Sequence, residues 1–229
     1  MQRDDLSEVR EFADRLRDSL PTSVDVAALG VRSKAPMKLL CAREALIWRT
    51  EELSRNACDA IERNDFAVAA ILCRAITESS ALAWRLMEAL DDREKHSASE
   101  FDAILMRLLM GSRLWEDFPE AFNVLTCIDR VDKQIPGIRA SYDSLCEFAH
   151  PNWRGVFGLY SDTDYTKMVT TFGRGMRGAE QTKKMLINSV LGSLGVFEYA
   201  YNRISDIMPT FIGELDGIWS NDEDQSALE

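Results

Sequence analysis

The chain holds only two histidines, and one of them, His150, closes a row of ionisable side chains. Arg139, Asp143, Glu147 and His150 follow at steps of four, four and three, the spacing that stacks groups along one helix face. Beside them Ile135, Ile138, Tyr142, Leu145 and Ala149 form an apolar stripe, and Pro151 stops the helix. Such a polar row is either solvated surface or a site, and a histidine at its end favours a site. The site reading predicts that His150 is partly buried and bonded to a carboxylate or arginine network from the third helix. The competing reading makes His150 a helix C-cap, where the dipole favours an imidazolium.

Other chemistries find less support. Glu147-x-x-His150 has the spacing of one helical di-iron ligand pair, but His96 is preceded at that distance by Arg93, so the second pair is missing. There is no His-Glu-x-x-His motif, no cysteine pair and no Gly-x-Ser-x-Gly elbow. Cys146, one turn before His150, reads as a small buried apolar residue. Neither a metal nor a cofactor is expected. Gly173-Arg-Gly-Met-Arg-Gly178 precedes a helix and offers Arg174 and Arg177 to an anion. It fits no phosphate-binding fingerprint, and a flexible turn with solvated arginines is the simpler reading.

A second polar row, Arg74, Glu78, Arg85 and Glu88, lies on an earlier helix. These are either surface ion pairs of little energetic consequence or the groups that hold Glu147 and His150 in place. The alanines around them (Ala70, Ala75, Ala81) allow another helix to approach closely.

The elements that must position these groups are helices. Residues 4–19 form one, ended by Pro21. Pro36 opens a second, to about Arg63, with Leu39, Leu46, Leu53, Ala57 and Ile61 inward. Asn64-Asp65 reads as a turn and N-cap. Phe66 to about Asp92 is a third helix, with Val68, Leu72, Ile76, Ser79, Leu82, Leu86 and Leu90 on one side. The short turn makes the pair antiparallel. A short helix from Ser97 or Ser99 to Leu109, another over Glu120–Lys133, and the helix opened by Pro136 follow. Val156–Tyr160 and Met168–Phe172 read as β-strands around a Ser161–Asp164 turn. The last long helix spans about Ala179 to Met208, and Gly192 and Gly195 within it predict close helix contact. The fold class is all-α: an up-and-down bundle with one β-hairpin at about 156–172, a single domain over 1–220. The acidic tail 221–229 is expected to be disordered.

With 46% hydrophobic and 28% charged residues, the composition is that of a globular chain. The net charge of −11 excludes a general nucleic-acid coat. It is uneven: residues 139–187 carry 7 Lys/Arg against 5 Asp/Glu, the only locally cationic stretch, which leaves room for an anionic ligand there. Five well-separated cysteines read as reduced thiols, and no secretory signal or membrane span is visible, which predicts a cytoplasmic protein.

Arg74-x-x-x-Glu78 on an alanine-rich helix, followed by Tyr142-x-x-Leu145-x-Glu147-x-x-His150-Pro151-Asn152-x-x-Gly155, resembles uncharacterised bacterial helical proteins that are distantly HEPN-like. The resemblance covers about residues 36–208. It implies a helical bundle, often dimeric. In catalytic HEPN proteins an arginine and a histidine, four to six residues apart on one helix, cleave RNA without metal. Here Asp143, Ser144 and Leu145 stand where the arginine belongs, and Arg139 lies further upstream. The expected catalytic set is His150, Glu147, Arg139 and Arg74, with Glu78, Asn152, Arg154, Arg174 and Arg177 as ligand contacts. The expected partners are a second copy of the chain and RNA or another anion. The alternative is a non-enzymatic scaffold or interaction module in which His-Pro-Asn is structural.

Overall fold

The computed structural model describes residues 5–25, 27–30 and 32–226, with side chains described only as far as residue 215. Helices α1 (Asp5–Asp18), α2 (Ala35–Glu62), α3 (Phe66–Asp91), α4 (Ala98–Met110), α5 (Val124–Gln134) and α6 (Ile138–Ala149) precede a single turn, α7 (Phe157–Tyr160). Strands β1 (Ser161–Asp164) and β2 (Val169–Phe172) form an antiparallel hairpin, and α8 (Ala179–Ser226) follows. The fold is an all-α bundle carrying one small hairpin before its last long helix.

Helix α3 is the axis. Alanines, serines and large apolar residues alternate around it so that most of its circumference is buried. α2 and α8 pack along its length, with α5 and α6 on a further side. By length and composition α3 is the one described helix long and apolar enough to cross a membrane, yet 56% of its apolar stretch is buried inside the bundle. Val68 was expected inward but is 50% exposed, as is Ile71 (52%) three residues on, so this face of α3 points to solvent. On α2 the inward stripe is shifted: Ile47, Thr50 and Ser54 are buried, whereas Leu46 and Leu53 are only half-buried.

Local signals fix several boundaries. The α2–α3 turn closes through Asn64, whose φ of 58° lies in the left-handed region that asparagine tolerates. Asp65 makes no cap bond; its carboxylate binds Arg63 and Arg174 instead. Ser97 and Glu100 form a capping box on α4. α5 starts at Val124 rather than Glu120, because the chain ahead of it is held to the end of α4. There Arg107 Nε donates to the Glu120 carbonyl at 2.9 Å, and Asn123 then caps the helix. α6 starts at Ile138. Asp132 Oδ1 accepts from the N–H groups of Gly137 (2.9 Å) and Arg139 (3.0 Å), which leaves Ile135 outside the helix and 38% exposed.

The hairpin differs from the expected one. Ser161–Asp164 is a strand rather than the turn, and Phe157–Tyr160 is helical. The reversal occurs at 165–168, where Asp164 Oδ1 accepts from the N–H groups of Thr166 (2.9 Å) and Lys167 (3.2 Å) and Met168 takes a φ of 54°. α8 does not stop at Met208 but runs through Pro209. The expected tight contact at its glycines is absent: a Cβ on Gly195 would meet nothing within 4 Å, and one on Gly192 only Ile138 at 4.0 Å. Serines make the close approach instead, Ser193 to Thr77 of α3 at 2.9 Å and Ser189 to Ser141 of α6 at 2.8 Å. Of the acidic tail, residues 227–229 lie outside the described residues; the backbone is helical up to Ser226.

Candidate functional site

The motif helix docks on α3 through Tyr142. Its ring is buried, and its hydroxyl donates to Glu78 Oε1 at 2.8 Å and accepts from Arg74 Nε at 3.1 Å. Arg74 Nε also reaches Glu78 Oε1 at 3.1 Å, and its guanidinium lies 5.5 Å from the Tyr142 ring centre. The three groups form a closed triangle that is half-shielded from water. Burial, reinforced by the neighbouring Glu78 carboxylate and opposed by Arg74, pushes the phenol up to about 12. Tyr142 is therefore a neutral donor at ordinary pH and no base.

The structure unites Arg74 and Glu78 as expected but puts a tyrosine where the imidazole was expected. His150 is exposed, and among the described residues its side chain makes no hydrogen bond or ion pair. The expectation of a partly buried His150 in a carboxylate or arginine network is thus corrected. The helix ends there for backbone reasons: the His150 N–H donates to Cys146 O at 3.0 Å, and Pro151 has no N–H to continue the ladder. The imidazole sits at the C-cap position without bonding a carbonyl.

Glu147 binds Asn152 rather than His150, its Oε2 accepting from Asn152 Nδ2 at 2.8 Å. Asn152 Oδ1 in turn accepts the Gly155 N–H at 3.0 Å, and Asn152 N–H donates to His150 O at 2.8 Å. A Cβ on Gly155 would stand 2.1 Å from the His150 carbonyl oxygen and 2.8 Å from that of Phe148. The spacing Glu147…Asn152-x-x-Gly155 therefore encodes an asparagine-locked turn. That turn aims Trp153 and Arg154 outward and lays the Arg154 guanidinium 4.5 Å from the Phe148 ring centre.

The remaining arginines are mostly compensated. Arg139 donates to Asp129 (2.6 Å) and to both carboxylate oxygens of Asp143 (3.0 and 3.1 Å), bonds that raise its already high pKa. Arg174 binds Asp65 at 2.7 Å, and Arg177 approaches Asp162 at 3.3 Å. Among the described residues Arg154 is the one expected cation that meets no carboxylate. Sequence reasoning placed Tyr142 in the apolar stripe and missed its hydroxyl, since nothing in the spacing tells a phenol facing Glu78 from one facing solvent. Trp153, Gln181 and Thr182, which come together near the start of α8, also carried no signal.

No known protein family, no curated protein and no solved structure matches this chain.

Proposed function

We propose that the chain is a non-enzymatic interaction module, cytoplasmic and homodimeric, whose contact surface is the hairpin together with the turn after the motif helix. One observation carries the reading. Exposed large apolar side chains concentrate between Trp153 and Phe172: Trp153 (64%), Tyr165 (73%), Met168 (81%) and Phe172 (74%) all stand in solvent on one short segment. Such clustering marks binding surfaces rather than ordinary scatter. The pairing of Arg74, Arg139, Arg174 and Arg177 with carboxylates argues in the same direction, because RNA phosphates need cations free to replace counterions. A second copy supplies an apolar surface of the same kind. Light scattering on the full chain is expected to report a dimer that M168D and F172D together convert to a monomer. A monomeric wild type overturns the reading.

The HEPN-like, RNA-cleaving reading keeps one point in favour: an accessible imidazole at His150 with the unpaired Arg154 four residues on. It requires cleavage of RNA in EDTA that His150→Ala abolishes. Absence of such cleavage leaves the interaction module.

A further inference from the structure

A cavity of about 350 Å³ lies between the asparagine-locked turn and the start of α8. Its walls are the Phe148 and Trp153 rings and the Leu159 side chain. Its polar groups are Arg154, Arg177, Gln181 and Thr182. Small-ligand sites begin at roughly this size.

The polar groups are notable for what they lack. Thr182 is only 7% exposed, lines the cavity, and its hydroxyl has no hydrogen-bond partner among the described residues. Among the buried hydroxyls of the bundle, Thr77, Ser80 and Ser54 each bond a carbonyl one helical turn back, while Thr50, far from this cavity on α2, also lacks a partner. Arg177 Nε is buried with no hydrogen-bond acceptor; Asp162 is 3.3 Å from it but outside hydrogen-bond geometry. Among the described residues Arg154 makes no ion pair or hydrogen bond and stacks on Phe148, and the Gln181 amide is likewise unbonded. The first backbone bond of α8 runs from Thr182 N–H to Gly178 O (2.9 Å), so the N–H groups of the residues just ahead have no helical acceptor. α8 is 48 residues long, and its positive dipole end faces the same space.

Shielded polar groups in proteins are normally satisfied, and here Arg177 Nε and Thr182 are shielded without a partner, with the exposed Arg154 and Gln181 beside them; convergent donors of this kind mark the place of an acceptor-rich ligand. We propose that this cavity binds an organic phosphomonoester that carries a planar ring, of the size of a nucleoside monophosphate. Two guanidiniums, a hydroxyl, an amide and free helix N–H groups offer more donors than a two-oxygen carboxylate can accept. The three terminal oxygens of a phosphate dianion can take them; Arg154 offers an unpaired charge, and Arg177 a guanidinium that faces Asp162 at 3.3 Å but whose Nε–H makes no hydrogen bond. The exposed Trp153 indole gives the planar ring a face to stack on. The net negative charge of the chain is no obstacle, since the site lies in its one cationic segment. The cavity lies within one chain, although Trp153 also stands on the proposed interaction surface.

The test is calorimetric titration of the full chain with AMP, GMP, CMP and UMP, beside adenosine, inorganic phosphate and benzoate. At least one nucleotide is expected to bind, to quench tryptophan fluorescence and to raise Tm. Adenosine and benzoate are expected to bind far more weakly. Removing one charge-assisted donor costs roughly tenfold or more in affinity, so R154A should show that loss. T182V, nearly isosteric and free to pack, should weaken binding with Tm unchanged in the absence of nucleotide. W153F should retain binding but lose the fluorescence change. The proposal is overturned if no nucleotide binds at millimolar concentration, if benzoate or adenosine binds as well as the nucleotide, or if R154A and T182V bind like the wild type. Dimer dissociation by M168D and F172D with nucleotide binding intact would separate this site from the interaction surface.

Discussion

Tyr142 donates its phenolic proton to Glu78 across the α3–α6 interface at 2.8 Å, and this bond ties the motif helix to the centre of the bundle. Glu78 cannot donate when ionised, and Arg74 cannot accept, so the tyrosine hydroxyl is the group that satisfies both. The cluster gains in strength from being partly shielded, and for the same reason it is costly to break on one side.

Tyr142→Phe keeps the buried ring but removes the hydroxyl, leaving Glu78 with Arg74 alone. A loss of about 1–2 kcal/mol is expected in urea unfolding. His150→Ala, by contrast, should change stability by less than about 0.5 kcal/mol, as an exposed side chain without partners does. Equal losses for the two variants would show that the imidazole has a structural partner after all.

The same hydroxyl gives a pH signature. Its folded pKa, raised from 10.0 to about 12 mainly by burial, means that the fold favours the neutral phenol. That contribution is complete below the unfolded pKa near 10 and is lost as pH climbs toward 12. The stability gap between wild type and Tyr142→Phe should therefore be flat through neutral pH and shrink over this alkaline window. Spectrophotometric titration should show a late tyrosine that the variant lacks. A gap that does not narrow across this alkaline window would show that the fold does not favour the neutral phenol.

Gly155→Ala tests the asparagine-locked turn. A Cβ there meets two carbonyl oxygens at 2.1 and 2.8 Å, and both are backbone atoms that cannot rotate away. The expected cost is about 2–3 kcal/mol, together with loss of the Arg154–Phe148 stacking. Asn152→Ala should lower stability by less, because Gly155 itself would still fit. A neutral Gly155→Ala would mean that the turn can be rebuilt without the Asn152–Gly155 bond.

What was legible in the sequence follows from range. Periods and caps are local, so α2, α3, α4 and the final helix could be read from apolar spacing, Pro36 and Ser97. The hairpin too was visible as a change of pattern after Gly155, but its register was not. Ser161–Asp164 has turn chemistry in isolation, and only pairing with Val169–Phe172 makes it a strand, with Asp164 closing the reversal from its end. The site was readable in part for the same reason. Arg74 and Glu78 lie one turn apart and their pairing is a helical spacing. The Tyr142–Glu78 contact spans 64 residues, and no local pattern distinguishes it from packing. His150 misled because a histidine beside an apolar stripe looks buried, whereas the stripe ends one residue earlier and the chain turns outward at Pro151.

The five cysteines are free, and their burial sets an order of reactivity. Cys58 is buried and its thiol is pushed up to about 11 by burial; Cys73, wholly enclosed, is raised as well. Thiolate is the reactive form, so both should resist a disulfide reagent at pH 8 in the native state. Cys41 and Cys146, each half-buried, should react first. Mass mapping after brief labelling checks the order. Early modification of Cys73 would require the α3–α8 interface to open, since its thiol packs against Leu186 O at 3.9 Å.

Pro209 is the final case, where packing overrides a local stop signal. Proline at an interior helix position removes one backbone bond and crowds the preceding turn, at a cost of about 3 kcal/mol. α8 nevertheless continues because both sides of the break are anchored. Ile207 and Met208 are buried before it, and Phe211 after it meets Phe101 edge-on at 5.7 Å. Glu214, one turn further on, receives Arg93 Nε at 2.7 Å. Since Pro209 itself is exposed, Pro209→Ala should restore the ladder without disturbing the core and raise stability by about 1–3 kcal/mol. Phe211→Ala should lower it by about 3 kcal/mol by emptying the anchor. Calorimetric unfolding measures both. A destabilising Pro209→Ala would mean that a bend at this position, rather than a continuous ladder, brings Phe211 onto α4.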